Sequence, residues 1–222
     1  MRAPRFAAVL FDLDGTLADS ARDITLALEF AFADVGIHTE HPVHRLVDGS
    51  PLEAIFALAA PDGTSAQFDR FALAYRARYE ILGHQHTRLY PGVRETLEAL
   101  SLLQPTPWLA VATAKRSATA RAVCQHLGIE QHFRAIEGTS GTAIPPKPAP
   151  DLVNALLRRS ETPADRCLLV GDTLRDVLAG KAAGVRTAAA TWGHGRREEL
   201  IRARPDHVLE DLEDLIPLFN DA

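Results

Sequence analysis

The amino-acid sequence predicts an α/β protein in which a doubly wound parallel sheet carries an all-helical domain inserted after its first strand. Three observations predict this fold. Short continuous apolar runs recur along the chain, helix-like segments separate the later runs, and more than ninety residues separate the first run from the second. Continuous apolar runs are typical of strands that are buried on both faces, as in parallel sheets. Their alternation with helices indicates a doubly wound arrangement.

The apolar runs are the predicted strands of the sheet. They cover residues 6–11, 108–113, 167–170, 185–190 and 207–209, of which the last run is the weakest. Helices are predicted between the later runs, at residues 116–127, 150–159 and 173–183. Gly128 and Gly184 follow two of these segments, at positions where glycine commonly ends a helix. The alternation therefore predicts a Rossmann-like core.

The interval between the first and second runs is too long for a single crossover, which needs about a dozen residues and a helix. Ser20 and Pro51 are well placed to begin helices in this interval. The predicted helices cover residues 21–34, 52–60 and 65–82. We therefore predict an α/β core domain of residues 1–18 and 89–222, and a separate helical domain of residues 19–88.

Composition excludes several classes of protein. The chain has 24 Lys and Arg residues against 29 Asp and Glu, a formal net charge of -5, which argues against a nucleic-acid binder with a broadly basic surface. Cys124 and Cys167 are its two cysteines, too few for a disulfide scaffold or a four-thiolate zinc site. Acidic residues interrupt the first apolar run early, and no run approaches the roughly 18 residues of a membrane span. We expect a cytoplasmic monomer or homodimer without membrane or nucleic-acid partners.

Polar side chains follow three of the predicted strands, at the edge where open α/β sheets bind ligands. Asp12 and Asp14 follow the first strand, Thr113 and Ala114 end the second, and Asp172 follows the third. The sequence also places Asp176 one helical turn beyond Asp172, and Lys147 in the loop before the helix predicted at residue 150. We expect these residues to meet at one edge of the sheet.

Converging carboxylates repel one another unless a cation neutralises them, and Mg²⁺ binds carboxylate, phosphate and water oxygens. Asp12, Asp172 and Asp176 carry three negative charges, which Mg²⁺ and Lys147 together would balance. Such a site could admit a phosphate dianion. The sequence therefore predicts a magnesium and phosphate site, although an isolated Asp-x-Asp-Gly is usually a turn or a helix cap.

The predicted chemistry is phosphoryl transfer. Asp12 beside the metal can attack phosphorus and form an aspartyl-phosphate, and Asp14 can protonate the leaving alkoxide and later deprotonate water. Thr113 and the amides that follow it, including that of Ala114, are predicted to hold phosphate oxygens. Lys147 is predicted to balance the charge that develops during transfer.

These motifs resemble those of the haloacid dehalogenase superfamily, over essentially the whole chain. Three stretches further resemble its phosphoglycolate-phosphatase-like branch: Tyr90-Pro91-Gly92-Val93, Lys147-Pro148-Ala149-Pro150-Asp151 and Gly49-Ser50-Pro51-Leu52. The resemblance implies that the helical insertion is a cap domain, that Asp12 is the nucleophile and that Asp14 is the acid/base. It implies Mg²⁺ binding by Asp12, Asp172 and the Asp14 carbonyl, with Asp176 assisting the metal or orienting Lys147. Many relatives have Asn at the position of Ala114, so one side-chain contact to substrate is lost.

Relatives with such a cap include dehalogenases, phosphonatases, sugar-phosphate mutases and phosphatases. Asp14 disfavours dehalogenases and phosphonatases, which replace the acid/base at this position. Residues 17–114 contain no lysine, whereas phosphonatases and β-phosphoglucomutase-like enzymes use a cap lysine. We therefore predict a Mg²⁺-dependent phosphatase of a small phosphorylated metabolite, with 2-phosphoglycolate as the best single substrate. The alternatives are a sugar-phosphate mutase without the usual cap lysine and a regulatory or binding protein that retains the site.

Overall fold

A six-stranded sheet forms the centre of the larger of two structural units. The computed structural model describes residues 5–40, 42–47 and 49–219. The larger unit, called the sheet unit, consists of the described residues through Ala18 and from Leu89 onward, and the smaller, called the helical unit, spans Asp19–Arg88. Among the described residues, no helix has both the length and the apolar composition that a membrane span requires.

The strands of the central sheet all run parallel. In chain order they are β1 (Ala8–Phe11), β2 (Trp108–Thr113), β3 (Ala135–Gly138), β4 (Cys167–Gly171), β5 (Arg186–Ala190) and β6 (His207–Leu209). Their spatial order is β3-β2-β1-β4-β5-β6, and every neighbouring pair is parallel. The order reverses at β1, which makes the carboxyl end of β1 the switch point where doubly wound sheets bind ligands.

Helices account for most of the remaining regular structure. In chain order they are α1 (Ala21–Asp34), α2 (Leu52–Ala59), α3 (Ser65–Leu82), α4 (Val93–Leu102), α5 (Ser117–His126), α6 (Asp151–Ser160), α7 (Leu174–Ala182) and α8 (Arg197–Arg202). Short 3₁₀ turns lie between some of them, and Ala18–Asp19 and Arg88–Leu89 form a separate two-stranded sheet.

Strand β1 is buried on both faces, which explains its unbroken apolar sequence. Ala8 and Leu10 point to one face, where they share a core cluster with Leu152 and Leu156 of α6. Val9 and Phe11, whose side chains point to the opposite face, are also completely buried. A strand without a solvent-facing side needs apolar residues at every position. Leu10 lies between Ala110 of β2 and Leu169 of β4, so these three parallel strands end at the same edge of the sheet.

The helical unit has a core of its own. Helices α1 and α3 pack together, and the rings of Phe32 and Phe71 lie 4.7 Å apart between them. Asp23, completely buried in the first turn of α1, accepts hydrogen bonds from the His86 amide at 3.0 Å and from Thr87 Oγ1 at 2.7 Å. This carboxylate therefore joins the beginning of the helical unit to its end.

The predicted parallel sheet with flanking helices is confirmed, with some corrections. Strand β3 and helix α8 were not predicted: β3 has four residues, one of them Glu137, and α8 has six. Segments this short have too few residues to show the hydrophobic periodicity of a helix or a strand. Ser20 precedes α1 as expected, yet its side chain makes no capping hydrogen bond, whereas Thr64 caps α3 by accepting from the Gln67 amide.

Candidate active site

Three buried carboxylates meet at the switch point of the sheet. Asp12 follows β1 and Asp172 follows the neighbouring strand β4, so the parallel strands deliver them to the same edge. Asp176 lies in the first turn of α7. One carboxylate oxygen from each of the three lies within 4.8 Å of the others. The structure thus brings together three of the four aspartates that the sequence assigned to the metal.

Asp172 is held in place by donors from two loops. Thr16 Oγ1 donates to Asp172 Oδ1 at 2.9 Å, and the His194 amide donates to Oδ2 at 2.8 Å. Gly15 adopts a φ of +83°, and a Cβ at this position would lie 2.1 Å from Asp172 Oδ2. The turn after Asp14 therefore requires glycine for its backbone angle and for the approach of the carboxylate. The sequence carried no signal for the His194 contact, because a backbone amide donates whatever its side chain is.

Lys147 supplies a buried positive charge to this cluster. Its Nζ lies 3.0 Å from Asp12 Oδ1 and 2.5 Å from Asp176 Oδ1, and it donates to the Ala112 carbonyl at 2.9 Å. An ammonium group has three protons, and here three protein oxygens face it. Lys147 therefore places a buried positive charge between Asp12 and Asp176.

Asp176 is more fully hydrogen-bonded than the other two carboxylates. Its Oδ2 accepts from the Thr173 amide at 3.0 Å and from Thr173 Oγ1 at 2.5 Å, while its Oδ1 pairs with Lys147. These bonds anchor the carboxylate to the start of α7 and aim it at Lys147. The arrangement suits a residue that holds the lysine.

Asp14 pairs with Lys115, whereas Lys147 is the lysine that the sequence predicts at the site. Lys115 Nζ lies 3.0 Å from Asp14 Oδ2, and the two side chains are 11% and 14% exposed. The sequence singled out Thr113 and Ala114 on this loop and missed the lysine that follows them. The two lysines thus contact three of the four aspartates, since Lys147 contacts Asp12 and Asp176, and Asp172 is held by Thr16 and the His194 amide.

Thr113 ends β2 with its side chain buried beside this loop. Its Oγ1 accepts a hydrogen bond from the Lys115 amide at 3.2 Å, and its carbonyl accepts from the Thr139 amide at 3.2 Å. Because the hydroxyl oxygen is used as an acceptor, its proton stays available for donation. Ala114 is partly exposed and offers only its backbone.

Burial dominates the electrostatics of the carboxylates. It raises the pKa of Asp12 to about 7; the charge of Lys147 opposes the shift, and the charges of Asp176 and Asp172 add to it. Burial likewise raises the pKa of Asp172 to about 7, with Asp176 adding to the effect and the His194 amide opposing it. Although burial lowers the pKa of Lys147, the two adjacent aspartates raise it above its ordinary value. The cluster therefore favours cations and protons.

A family model described as haloacid dehalogenase-like hydrolase matches residues 9–190, which include every site residue named above except His194. The chain belongs to this family. The assignment made from the motifs is thereby confirmed, and so is the expectation of a hydrolase.

Relatives of this hydrolase span its full length. A 5'-nucleotidase of Pseudomonas aeruginosa is 34% identical over 217 residues, covering 96% of this chain and 95% of the relative. Phosphoglycolate phosphatase 1 of the same organism is 32% identical over 228 residues, covering 100% of this chain and 82% of the relative. The crystal structure of a predicted phosphoglycolate phosphatase from Haemophilus somnus matches with a TM-score of 0.85 at 26% identity, and the match covers 96% of this chain and 98% of that chain.

Proposed function

We propose that this hydrolase is a Mg²⁺-dependent phosphatase that cleaves a small phosphate monoester through an aspartyl-phosphate on Asp12. The observation that carries the proposal is the charge of the buried cluster. Asp12, Asp172 and Asp176 carry three negative charges when ionised, and Lys147 offsets one of them. A hard divalent cation with oxygen ligands balances the remaining two.

The residues present fit such a cation. Asp12 and Asp172 would hold it, together with the main-chain carbonyl of Asp14, and a bound divalent cation supplies charge neutralisation and polarises phosphoryl oxygens. Asp176 has fewer lone pairs to spare because of its bonds to Thr173 and Lys147. We therefore assign Asp176 to the orientation of Lys147, and its contact with the metal is secondary.

The chemistry proceeds through this chain's own side chains. The Asp12 carboxylate attacks phosphorus, the bond to the leaving oxygen breaks, and Asp14 delivers a proton to that oxygen. Asp14 then takes a proton from water, which attacks the phosphorus of the aspartyl-phosphate and releases inorganic phosphate. The Thr113 hydroxyl and the Ala114 amide donate to phosphate oxygens, and Lys147 stabilises the transferred group through its charge.

The substrate class follows from the relatives and from the insertion. We assign the choice of substrate to the helical unit, acting as a cap domain, since it is inserted directly after the turn that carries Asp14. The similarity to phosphoglycolate phosphatases supports 2-phosphoglycolate as the substrate. The 34% identity to a 5'-nucleotidase favours nucleoside 5'-monophosphates as the second candidate.

Phosphate release from a panel of monoesters tests the function. With Mg²⁺ present, we expect release from 2-phosphoglycolate with a kcat/KM at least about tenfold above those for nucleoside 5'-monophosphates and hexose phosphates, a difference of about 1.4 kcal/mol. A chelator should stop release in every case. A preference for nucleotides would select the second candidate. Isomerised sugar phosphate without free phosphate would instead indicate a mutase, and no turnover of any substrate would indicate a binding protein.

Magnesium should stabilise the protein more at alkaline than at acidic pH. Because burial raises the folded-state pKa of Asp12 and Asp172 from 3.8 to about 7, the stability that their protonated forms contribute is present below about pH 4 and is lost as pH rises through about 7. Protons and metal compete for these carboxylates. We expect saturating Mg²⁺ to raise the melting temperature at pH 8 by about 5 °C or more over the value in chelator, and by less at pH 5.

Matched variants sharpen this measurement. Asp172→Asn removes a buried carboxylate of the cluster, whereas Asp165→Asn changes an exposed aspartate just before β4. The first variant should lose the Mg²⁺-dependent rise at pH 8, and the second should keep it. An equal rise at both pH values, or in both variants, contradicts metal binding by the buried cluster.

A further inference from the structure

Lysine is rare in this chain, and its distribution is uneven. Three of the 24 Lys and Arg residues are lysine: Lys115, Lys147 and Lys181. Lys181 lies exposed on α7, whereas the other two each pair with an aspartate of the candidate active site. Lysine differs from arginine in carrying a compact point charge on a flexible stem, which suits a confined site. The pairing of Lys115 with Asp14 is the contact here that no motif accounts for.

The backbone beneath Lys115 is firmly braced. Its amide donates to Thr113 Oγ1 at 3.2 Å, which closes the turn after β2. On the other side, a Cβ at Gly138 would lie 1.9 Å from the Lys115 carbonyl oxygen, so β3 abuts the loop and requires glycine there. The Gly138 amide in turn donates to Ser117 Oγ at 2.9 Å. The backbone from which the Lys115 side chain extends is therefore held in place.

The backbone beneath Asp14 is braced as well. The Gly15 amide donates to the Ala18 carbonyl at 2.9 Å, and the Ala18 amide donates to the Leu13 carbonyl at 2.9 Å, so Asp14 lies on a closed turn. Both partners of the ion pair thus project from rigid supports, and both side chains are largely buried. A charge pair of this kind loses little side-chain entropy and is weakly screened by solvent.

We propose that Lys115 is a positioning residue that sets the orientation of the Asp14 carboxylate for proton transfer to the leaving oxygen. This inference rests on the proposed function, in which Asp14 is the acid/base. Lys147 is placed for a different contact, since its ammonium group lies beside Asp12, Asp176 and the Ala112 carbonyl. Removing the Lys115 ammonium removes the positive charge that fixes the direction of Asp14. Proton transfer depends steeply on that geometry, whereas phosphate binding does not.

The dependence of rate on the leaving group tests the proposal. We compare Lys115→Met, Lys115→Arg and the exposed control Lys181→Met, each on an alkyl phosphate and on p-nitrophenyl phosphate, whose leaving group departs without a proton. Lys115→Met should lower kcat/KM, which reports formation of the aspartyl-phosphate, by about 10²-fold for the alkyl phosphate and by less than about tenfold for p-nitrophenyl phosphate. The value of kcat also includes hydrolysis of the aspartyl-phosphate, which uses Asp14 as base for both substrates. Lys115→Arg should recover part of the loss because the charge is kept, and Lys181→Met should match the wild type.

A double mutant separates positioning from other roles. If Lys115 acts through Asp14, then adding Lys115→Met to Asp14→Asn should cost little beyond Asp14→Asn alone. Equal losses of kcat/KM on both substrates, or full additivity in the double mutant, would each overturn the proposal. Melting temperatures show whether Lys115→Met is folded, and Lys115→Arg carries the test if it is not.

The same experiment distinguishes failure of this inference from failure of the proposed function. The proposed function requires that Asp12→Asn be inactive and that Asp14→Asn lose more kcat/KM on the alkyl phosphate than on p-nitrophenyl phosphate. If both hold while Lys115→Met behaves as the wild type, only the positioning role is wrong. If Asp14→Asn lowers kcat/KM equally for both substrates, the role of Asp14 as the acid is wrong.

Discussion

Asp12→Asn is expected to lower kcat by at least about 10⁴-fold on every phosphate monoester that the wild type hydrolyses. The amide of asparagine has nearly the shape of the carboxylate but is not a nucleophile toward phosphorus. Neither of the other two carboxylates of the buried cluster can replace it easily, since Asp176 is bound to Thr173 and Lys147, and Asp172 to Thr16 and the His194 amide. Loss of the nucleophile therefore stops the reaction at its first step.

The measurement pairs turnover with direct detection of the intermediate. Wild-type protein quenched in acid during turnover of a radiolabelled monoester should retain label on the chain, and Asp12→Asn should retain none. The variant should remain folded, because it replaces a carboxylate that burial already disfavours in its ionised form. Asp165→Asn, exposed and outside the site, serves as the control. Label on Asp12→Asn, or turnover near the wild-type rate, would show that another residue attacks phosphorus.

The sequence predicted the middle of the sheet well because its strands are buried on both faces. All four residues of β1 are apolar and buried, all five residues of β4 are buried, and β2 is apolar up to its last residue, Thr113. An unbroken apolar run can be recognised as a buried strand without knowing which strands lie beside it. Strand β3 escaped prediction because it is short and carries Glu137. This strand nevertheless braces the loop of Lys115 through Gly138, so the element missed from the sequence supports part of the site.

The gathering of Asp12, Asp172 and Asp176 could also be predicted, because the carboxyl ends of parallel strands share an edge. The contacts that orient these groups could not. Thr16 donates to Asp172 across 156 positions of the chain, and the amide of His194 reaches it from the loop after β5. Which aspartates each of the two lysines contacts depends on loop paths and rotamers that sequence spacing does not determine. The motifs therefore predicted which carboxylates come together, while the structure was needed to find the groups that contact them.

Lys147→Met is expected to have the second largest effect, on activity and on stability together. Methionine keeps much of the volume of the lysine stem but leaves Asp12 and Asp176 buried without their shared cation. Removing one partner of a buried ion pair costs about 3–5 kcal/mol of unfolding free energy. Loss of a preorganised charge beside the transferred phosphoryl group should lower kcat by about 10²–10³-fold.

The pH dependence of this destabilisation distinguishes a lost charge from a lost contact. The charge of Lys147 holds down the pKa of Asp12, which burial has raised to about 7, so the variant should raise it further. Below that pKa the acid is neutral and no longer needs a cation. Urea unfolding in chelator should therefore show a larger difference between Lys147→Met and the wild type at pH 8 than at pH 5. Lys181→Met, on the exposed face of α7, should show no comparable difference at either pH. An equal deficit at both pH values would mean that Lys147 supports the fold by packing, and its electrostatic role in phosphoryl transfer would then lose its physical basis.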